Sequence, residues 1–181
     1  MRITSGILKG RTFKVPKIGV RPTTERTREA VFSSVAAYVP NARVLDLFAG
    51  AGGLGLEAWS RGAESVTAVE KVSKHWKNLE QNFQALEGDP ELGVYKVVRA
   101  DVYEYLKRAG SPFEFDLIFA DPPYDEVELP RLLEAVGDAL APDGLLVFEM
   151  HKRDAVEVSK PWKLLKEKKY GSTKVLFLTR E

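Results

Sequence analysis

The stretch RVLDLFAGAGGLGLE, residues 43–57, leaves a chain little choice of fold. An apolar run ends in an acid and a glycine-rich turn, then passes into a segment with helical spacing. Parallel strands covered on both faces read as nearly continuous apolar runs, and glycines let the next helix start close to the strand's carboxyl end. The unit recurs. SVTAVE (65–70), GVYKVV (93–98), FDLIFA (115–120) and GLLVFE (144–149) are further strand candidates, and 53–61, 73–87, 101–108 and 128–139 carry helix-compatible spacing. In 73–87, Trp76, Leu79, Asn82 or Phe83, and Leu86 recur at three and four residues. Ser73 and Asp101 are the expected helix caps. WKLLKEKKY (162–170) and TKVLFLTR (173–180) predict a terminal hairpin about Gly171, which makes one strand antiparallel. Five strands plus this hairpin give a seven-stranded, mostly parallel, doubly wound α/β sheet of Rossmann-like type.

The first forty residues read differently. RITSGILKGRTFKVP, punctuated by Gly6, Gly10 and Pro16, predicts a small hairpin, and TTERTREAVFSSVAAYV a helix capped by Thr23 or Thr24 and closed by Pro40. Residues 1–28 hold eight basic side chains against the single acid Glu25, leaving 19 basic and 25 acidic side chains in the remainder. Such asymmetry points to docking on a polyanion, most commonly nucleic acid, with Lys9, Arg11 and Lys14 as the hairpin's contacts beside the carboxyl edge of the sheet. The expected division is therefore a docking and cofactor-covering extension over 1–40 and a catalytic domain over 41–181. A chain of 181 residues has room for one ordinary core. It has no long apolar run and no signal-peptide pattern in MRITSGILKG, so cytoplasmic residence without a membrane partner is expected. With no cysteine and two histidines, thiolate catalysis and cysteine- or histidine-rich metal sites are excluded, and no metal is expected.

Gly50, Gly52 and Gly55 satisfy G-x-G-x-x-G, and Glu70 ends the next strand twenty residues after Gly50. By itself this is a dinucleotide fingerprint, with the carboxylate reaching ribose hydroxyls. Asp46, inside the end of the first strand, changes the reading. A carboxylate there repels a pyrophosphate but suits the sulfonium and ammonium of S-adenosyl-L-methionine. Asp101 is placed either to cap its helix or to meet an adenine amine. At the end of the fourth strand stands FADPPYDE (119–126). Prolines at 122 and 123 hold the backbone extended, so the loop presents the Asp121 carboxylate, the Pro122 carbonyl and the Tyr124 ring rigidly. Two acceptors gripping the N–H groups of a planar amine, and a ring stacked on its plane, would orient a poorly nucleophilic nitrogen for methyl transfer.

In that order, RPTTERTREAVF (21–32), LDLFAGAGGLGLEAWSRGA (45–63) and DPPY (121–124) resemble the bacterial RsmD family, the 16S rRNA guanine-N2 methyltransferases. RITSGILKGRTFKVP and YGSTKVLFL fit it too, so the resemblance spans almost the whole chain. It implies the S-adenosylmethionine-dependent methyltransferase fold, acting on one guanine of the 16S rRNA in the small ribosomal subunit or a late assembly intermediate, and a monomer is expected. Carried over, Gly50, Gly52 and Gly55 bind the methionine part, Glu70 the ribose and Asp101 the adenine, while Asp121, Pro122, Pro123 and Tyr124 hold the guanine. Arg21, Thr23 and Arg28 sit near the cofactor or substrate mouth. The family usually carries Ser where Ala51 stands and Ala or another small residue at Gly53; the lost hydroxyl costs at most one cofactor or capping contact, and the backbone geometry is expected to be kept. The competing readings are an NAD-dependent oxidoreductase, a non-catalytic RNA-binding assembly protein, and an amino-methyltransferase for another base or for protein glutamine. His75 and His151 are expected at the surface, and Trp59, Trp76 and Trp162 in the core or covering the sheet; Glu149 ends the fifth strand, where facing the site is the less favoured of its readings. Lys152 and Arg153 are further candidates for the RNA backbone.

Overall fold

The computed structural model describes residues 1–108, 112, 114–123 and 127–181. In chain order the elements are α1 (Glu25–Ser34), a 3-10 turn (Ala36–Tyr38), β1 (Arg43–Leu47), α2 (Gly53–Ser60), β2 (Ser65–Glu70), α3 (Ser73–Leu86) and β3 (Val94–Arg99). There follow α4 (Val102–Arg108), β4 (Phe115–Ala120), α5 (Leu129–Val136), β5 (Leu140–His151), β6 (Trp162–Tyr170) and β7 (Thr173–Arg180). Among the described residues the strands form one seven-stranded sheet ordered β3-β2-β1-β4-β5-β7-β6. β1 to β5 run parallel, and β7 is antiparallel to both neighbours. The order reverses between β1 and β4, paired from Val44↔Leu117 to Leu47↔Ala120, so their carboxyl ends open the crevice where such sheets bind ligands.

Each face of the sheet is covered. Val44, Val66, Ala68, Leu117, Phe119, Val147, Val175 and Phe177 pack under α1, α2 and α3, whereas Leu45, Leu47, Ile118, Leu146, Phe148, Leu176 and Leu178 pack under α4 and α5. This alternation along fully buried strands explains their continuous apolar runs. No described helix is long and apolar enough to cross a membrane.

Local chemistry accounts for the boundaries that differ from expectation. The first helix stops at Ser34 because Val35 leaves helical geometry (φ −112, ψ 14), and Val35 and Val39 are both buried. The hydroxyls of Ser33 and Ser34 donate back to the carbonyls of Glu29 and Ala30, which weakens the last turn. Thr24 caps α1 by accepting the Thr27 N–H at 3.1 Å. Ser73 does not cap α3; Val72 occupies that position without a side-chain cap. β5 starts at Leu140 rather than 144, because Leu140 pairs with Phe115 before a register shift through Asp143, which has φ 61.

Residues 1–14 are joined by a single bridge, Arg2↔Thr12, with Ile3, Leu8 and Phe13 inserted in the core. The hairpin tip lies against the end of α2: Ile7 N–H donates to the Ser60 carbonyl and Leu8 N–H to Ser60 Oγ. Arg11 reaches the Ala85 carbonyl in the last turn of α3. Helices α2 and α3 both run from the carboxyl edge of the sheet to its amino edge, so Lys9 and Arg11 stand at the end opposite the crevice. This corrects the expectation of a basic patch beside the carboxyl edge. Lys14 lies midway, its backbone held by Asn82 and Asn78 of α3.

Arg28 is also corrected. It does line the cleft, as expected, but it is fully buried and donates from Nε to Glu57 Oε2 at 2.9 Å, which leaves it no open face for RNA. Glu57 in turn accepts N–H groups from Thr4 and Ser5 and the Arg61 guanidinium, tying the hairpin, α1 and α2 together.

Candidate active site

The turn after β1 is built on close approach. Phe48 and Gly50 have φ of 59 and 56, and Gly52, the N-cap of α2, has φ 90. A side-chain carbon at Gly52 would come 2.6 Å from Leu79, and one at Gly55 would come 2.9 Å from Asp46 Oδ2. Gly55 N–H donates to that oxygen at 2.9 Å, which fixes Asp46 under the helix start. Glu70 clasps the loop from β2: Oε2 accepts Gly50 N–H at 2.9 Å and Oε1 accepts Val72 N–H at 2.8 Å. Buried Asn82 donates to the Ala51 carbonyl, securing the other side of the turn.

Asp101 does cap α4, its Oδ1 accepting the N–H groups of Tyr103 and Glu104 while Lys71 approaches Oδ2. Burial pulls against it, yet these amides and Lys71 hold its carboxyl below the usual range. His75 is no surface residue. It lines the cleft, with Nε2 3.2 Å from the Ile18 carbonyl and Nδ1 4.0 Å from Glu70. Residues 19 and 20 of the segment before α1 cross above the glycine loop, where Val20 stands 3.4 Å from the side-chain position of Gly50.

At the end of β4, Asp121 accepts a hydrogen bond from the Thr23 hydroxyl at 3.0 Å, and Glu149 Oε1 on β5 lies 3.5 Å from the same hydroxyl. Thr23, expected with the cofactor, therefore bridges two carboxylates in the Asp-Pro-Pro corner. Glu149 does face the site, the reading of its strand-end position that the sequence favoured less. Pro122 is buried and Pro123 exposed at the same edge, while Tyr124 lies outside the described residues. Trp59 and Trp162 are buried core residues.

The cleft bounded by these elements has a volume of about 1290 Å³, more than the roughly 300–1,000 Å³ usual for one small ligand. Its floor is acidic and its rim basic. Asp46, Asp121 and Glu149 line it below, and Arg21, Arg26, Arg131 and Lys169 line it with Thr173 and the 170–172 turn. The turn between β6 and β7 was not singled out for the site; the YGST segment of the resemblance was its only signal. Arg21 donates to Ser172 Oγ at 3.2 Å, joining that turn to the segment before α1. Arg131 stacks over the Tyr103 ring, 4.1 Å from its centroid.

Burial pushes the Asp46 carboxyl up to about 7, against the Gly55 amide and with the charges of Asp121 and Glu70 adding to the rise. Burial likewise raises Asp121 to about 6, opposed by Thr23 and Arg21, and raises Glu149 well above the usual range, with Asp121 the next cause. One hydroxyl proton cannot satisfy two anions, so the ligand-free floor holds protons. The native state thus binds protons more tightly than the unfolded chain. The stability this contributes is full below the unfolded carboxyl range near ~4 and is lost as pH rises through about 6 to about 7. The thermal midpoint of the ligand-free protein is expected to fall between about pH 5 and pH 8, and less steeply in Asp46→Asn. Parallel curves for parent and variant would contradict this account of the floor.

Comparison with known proteins matches this architecture along the whole chain. A family model described as conserved hypothetical protein 95 matches residues 1–179. The Escherichia coli K12 protein named ribosomal RNA small subunit methyltransferase D is 33% identical, covering 100% of this chain and 90% of that one. A Bacillus subtilis protein provisionally named an rRNA methyltransferase, YlbH, is 39% identical over 85% of this chain and 84% of its own. A solved Escherichia coli structure, provisionally named methyltransferase yhhF, superposes with a TM-score of 0.85 at 31% identity, covering 100% of this chain and 98% of that one. The fold, the glycine loop, the acid that ends β2 and the Asp-Pro-Pro corner thus coincide with a full-length match, and the chain belongs to the RsmD family of methyltransferases.

Proposed function

We propose that the protein transfers a methyl group from S-adenosyl-L-methionine to the exocyclic N2 amine of a guanine in the 16S rRNA of the small ribosomal subunit. The observation that carries this reading is the cleft floor, where the buried carboxylates of Asp46 and Glu149 and the half-buried one of Asp121 lie beside a glycine loop clasped by Glu70. A pyrophosphate would be repelled there, which disfavours the NAD reading. The residues fit S-adenosylmethionine. Asp46 suits its cationic end, the bare glycines leave room for its backbone-like part, and Glu70 retains lone pairs for ribose hydroxyls. When bound, this cofactor supplies an electrophilic methyl group.

The chain's own residues do the rest. Asp121 and the Pro122 carbonyl accept the two N–H protons of the base amine and turn its lone pair into the cleft. Thr23 holds Asp121 in place, and Glu149 on the same hydroxyl offers a nearby acceptor for the proton that methylation makes acidic. Pro123 stiffens the loop, and Tyr124 supplies the stacking ring. Residues 1–40 cover the cofactor through the 16–22 segment, which His75 anchors at Ile18.

Calorimetry with S-adenosylmethionine or its demethylated product should show micromolar-range binding. Glu70→Ala removes hydrogen bonds to a charged group, worth about 1.5–3 kcal/mol, and should weaken binding roughly tenfold to a hundredfold. Binding of NAD with none for either methionine derivative would sink the assignment.

A further inference from the structure

We propose that the phosphate backbone flanking the target guanine docks along the outer strand β6 and the β6–β7 turn, running from Lys166 and Lys168 to the cleft rim at Arg21 and Arg26. The inference rests on the rRNA reading and gives its substrate a track on the surface.

Three observations converge. First, the hairpin that carries Lys9 and Arg11 is fixed to Ser60 and Ala85, at the amino edge of the sheet, and neither side chain lines the cleft. The excess positive charge of the N-terminal segment is therefore split, with Arg21 and Arg26 at the cleft and the hairpin's cations away from it. Second, the cleft separates its charges by depth. Carboxylates that suit a cation and an amine lie on the floor, and cations that suit phosphates ring the mouth. A nucleotide entering base first meets both in the right order.

Third, β6 is the outermost strand, and its tip forms part of the rim. Lys166 and Lys168 pair with Phe177 and Val175, so both project on the face that α1 covers further in, where Arg26 also lies. Partial burial and the neighbouring Lys166 ammonium hold the Lys168 ammonium below the ordinary lysine range. Other β6 cations have acidic partners, Lys169 with Glu167 at 3.6 Å and Lys163 with Glu181 at 3.8 Å. Neither Lys166 nor Lys168 has one among the described residues. Two like charges held side by side without a carboxylate favour an external anion. From Lys166 to Gly171 the strand spans about 17 Å at the usual rise per residue, a track leading to the mouth. Lysines on an edge strand also prevent sheet-to-sheet pairing, which is the alternative role the test must separate.

Filter binding of undermethylated small subunits across a salt series compares the parent, Lys166→Ala/Lys168→Ala and Lys9→Ala/Arg11→Ala, with calorimetric S-adenosylmethionine binding measured on each. The β6 double variant is expected to lose about 1.4–1.8 from the slope of log affinity against log salt, since each neutralised phosphate contributes roughly 0.7–0.9. It should keep parental cofactor binding, and the hairpin variant should keep the parental slope. Equal slopes and affinities in all three, with or without aggregation of the β6 variant, would overturn the docking track and leave the rRNA reading standing. A loss confined to the hairpin variant would overturn it as well. A parent that binds no small subunits at any salt overturns the rRNA reading and the track together.

Discussion

Asp121→Ala is expected to lower kcat by roughly a hundredfold or more while leaving donor affinity nearly unchanged. The side chain accepts the Thr23 hydroxyl at 3.0 Å and, in the proposed mechanism, one N–H of the base amine. That second bond matters most as the nitrogen gives up its delocalised lone pair, so its loss falls on the transition state more than on ground-state binding. Orienting contacts of this kind are worth about 2–4 kcal/mol each. Asp121→Asn keeps a carbonyl acceptor in nearly the same place and should retain more activity than Asp121→Ala. Single-turnover transfer with saturating donor separates chemistry from binding. Near-parental turnover in Asp121→Ala would show that the Asp-Pro-Pro corner does not hold the amine.

The largest effect on stability is expected at Glu57. Both of its oxygens are used, by Arg28, Arg61 and the amides of Thr4 and Ser5, and both it and Arg28 are fully buried. Glu57→Ala leaves the Arg28 guanidinium buried without its carboxylate and removes the bonds that Thr4 and Ser5 make to α2. Removing one partner of a buried pair costs about 3–5 kcal/mol, which for a chain of this size lowers the melting midpoint by roughly 6–20 °C. Arg28→Ala should be nearly as severe, whereas the exposed pair Arg2–Glu25 should contribute little. A midpoint in Glu57→Ala within about 2 °C of the parent would refute the role assigned to this cluster.

The parts of the site legible in the sequence are those set by local chemistry. Gly50 and Gly52 announce a close turn through their positive φ, Gly55 leaves no room for a side chain beside Asp46, and Glu70 follows at the spacing of one βα unit. The bounds of β4 and β7 follow from apolar runs, closed after β4 by prolines and opened before β7 by the glycine turn. What depends on distant partners was not legible. The charge of Arg28 says nothing of its burial, because Glu57 lies 29 residues on and the two meet only when α1 packs on α2. Counting cations in residues 1–28 likewise does not tell which edge of the sheet they reach; that is decided by Ser60 and Ala85 holding the hairpin. The bridge from Thr23 to Asp121 and Glu149 joins three segments more than 90 residues apart at its longer contacts, |i−j| of 98 and 126. The early start of β5 depends on pairing with Phe115, not on its own pattern.

Incubation of the protein with labelled S-adenosylmethionine and undermethylated small subunits, followed by digestion of the RNA and assignment of the labelled nucleoside, tests the central claim most directly. The account predicts label in 16S rRNA as N2-methylguanosine, dependent on Asp121. Label recovered in an adenosine, in another RNA or in ribosomal protein, or no transfer by a protein that binds both the cofactor and the subunit, would contradict it.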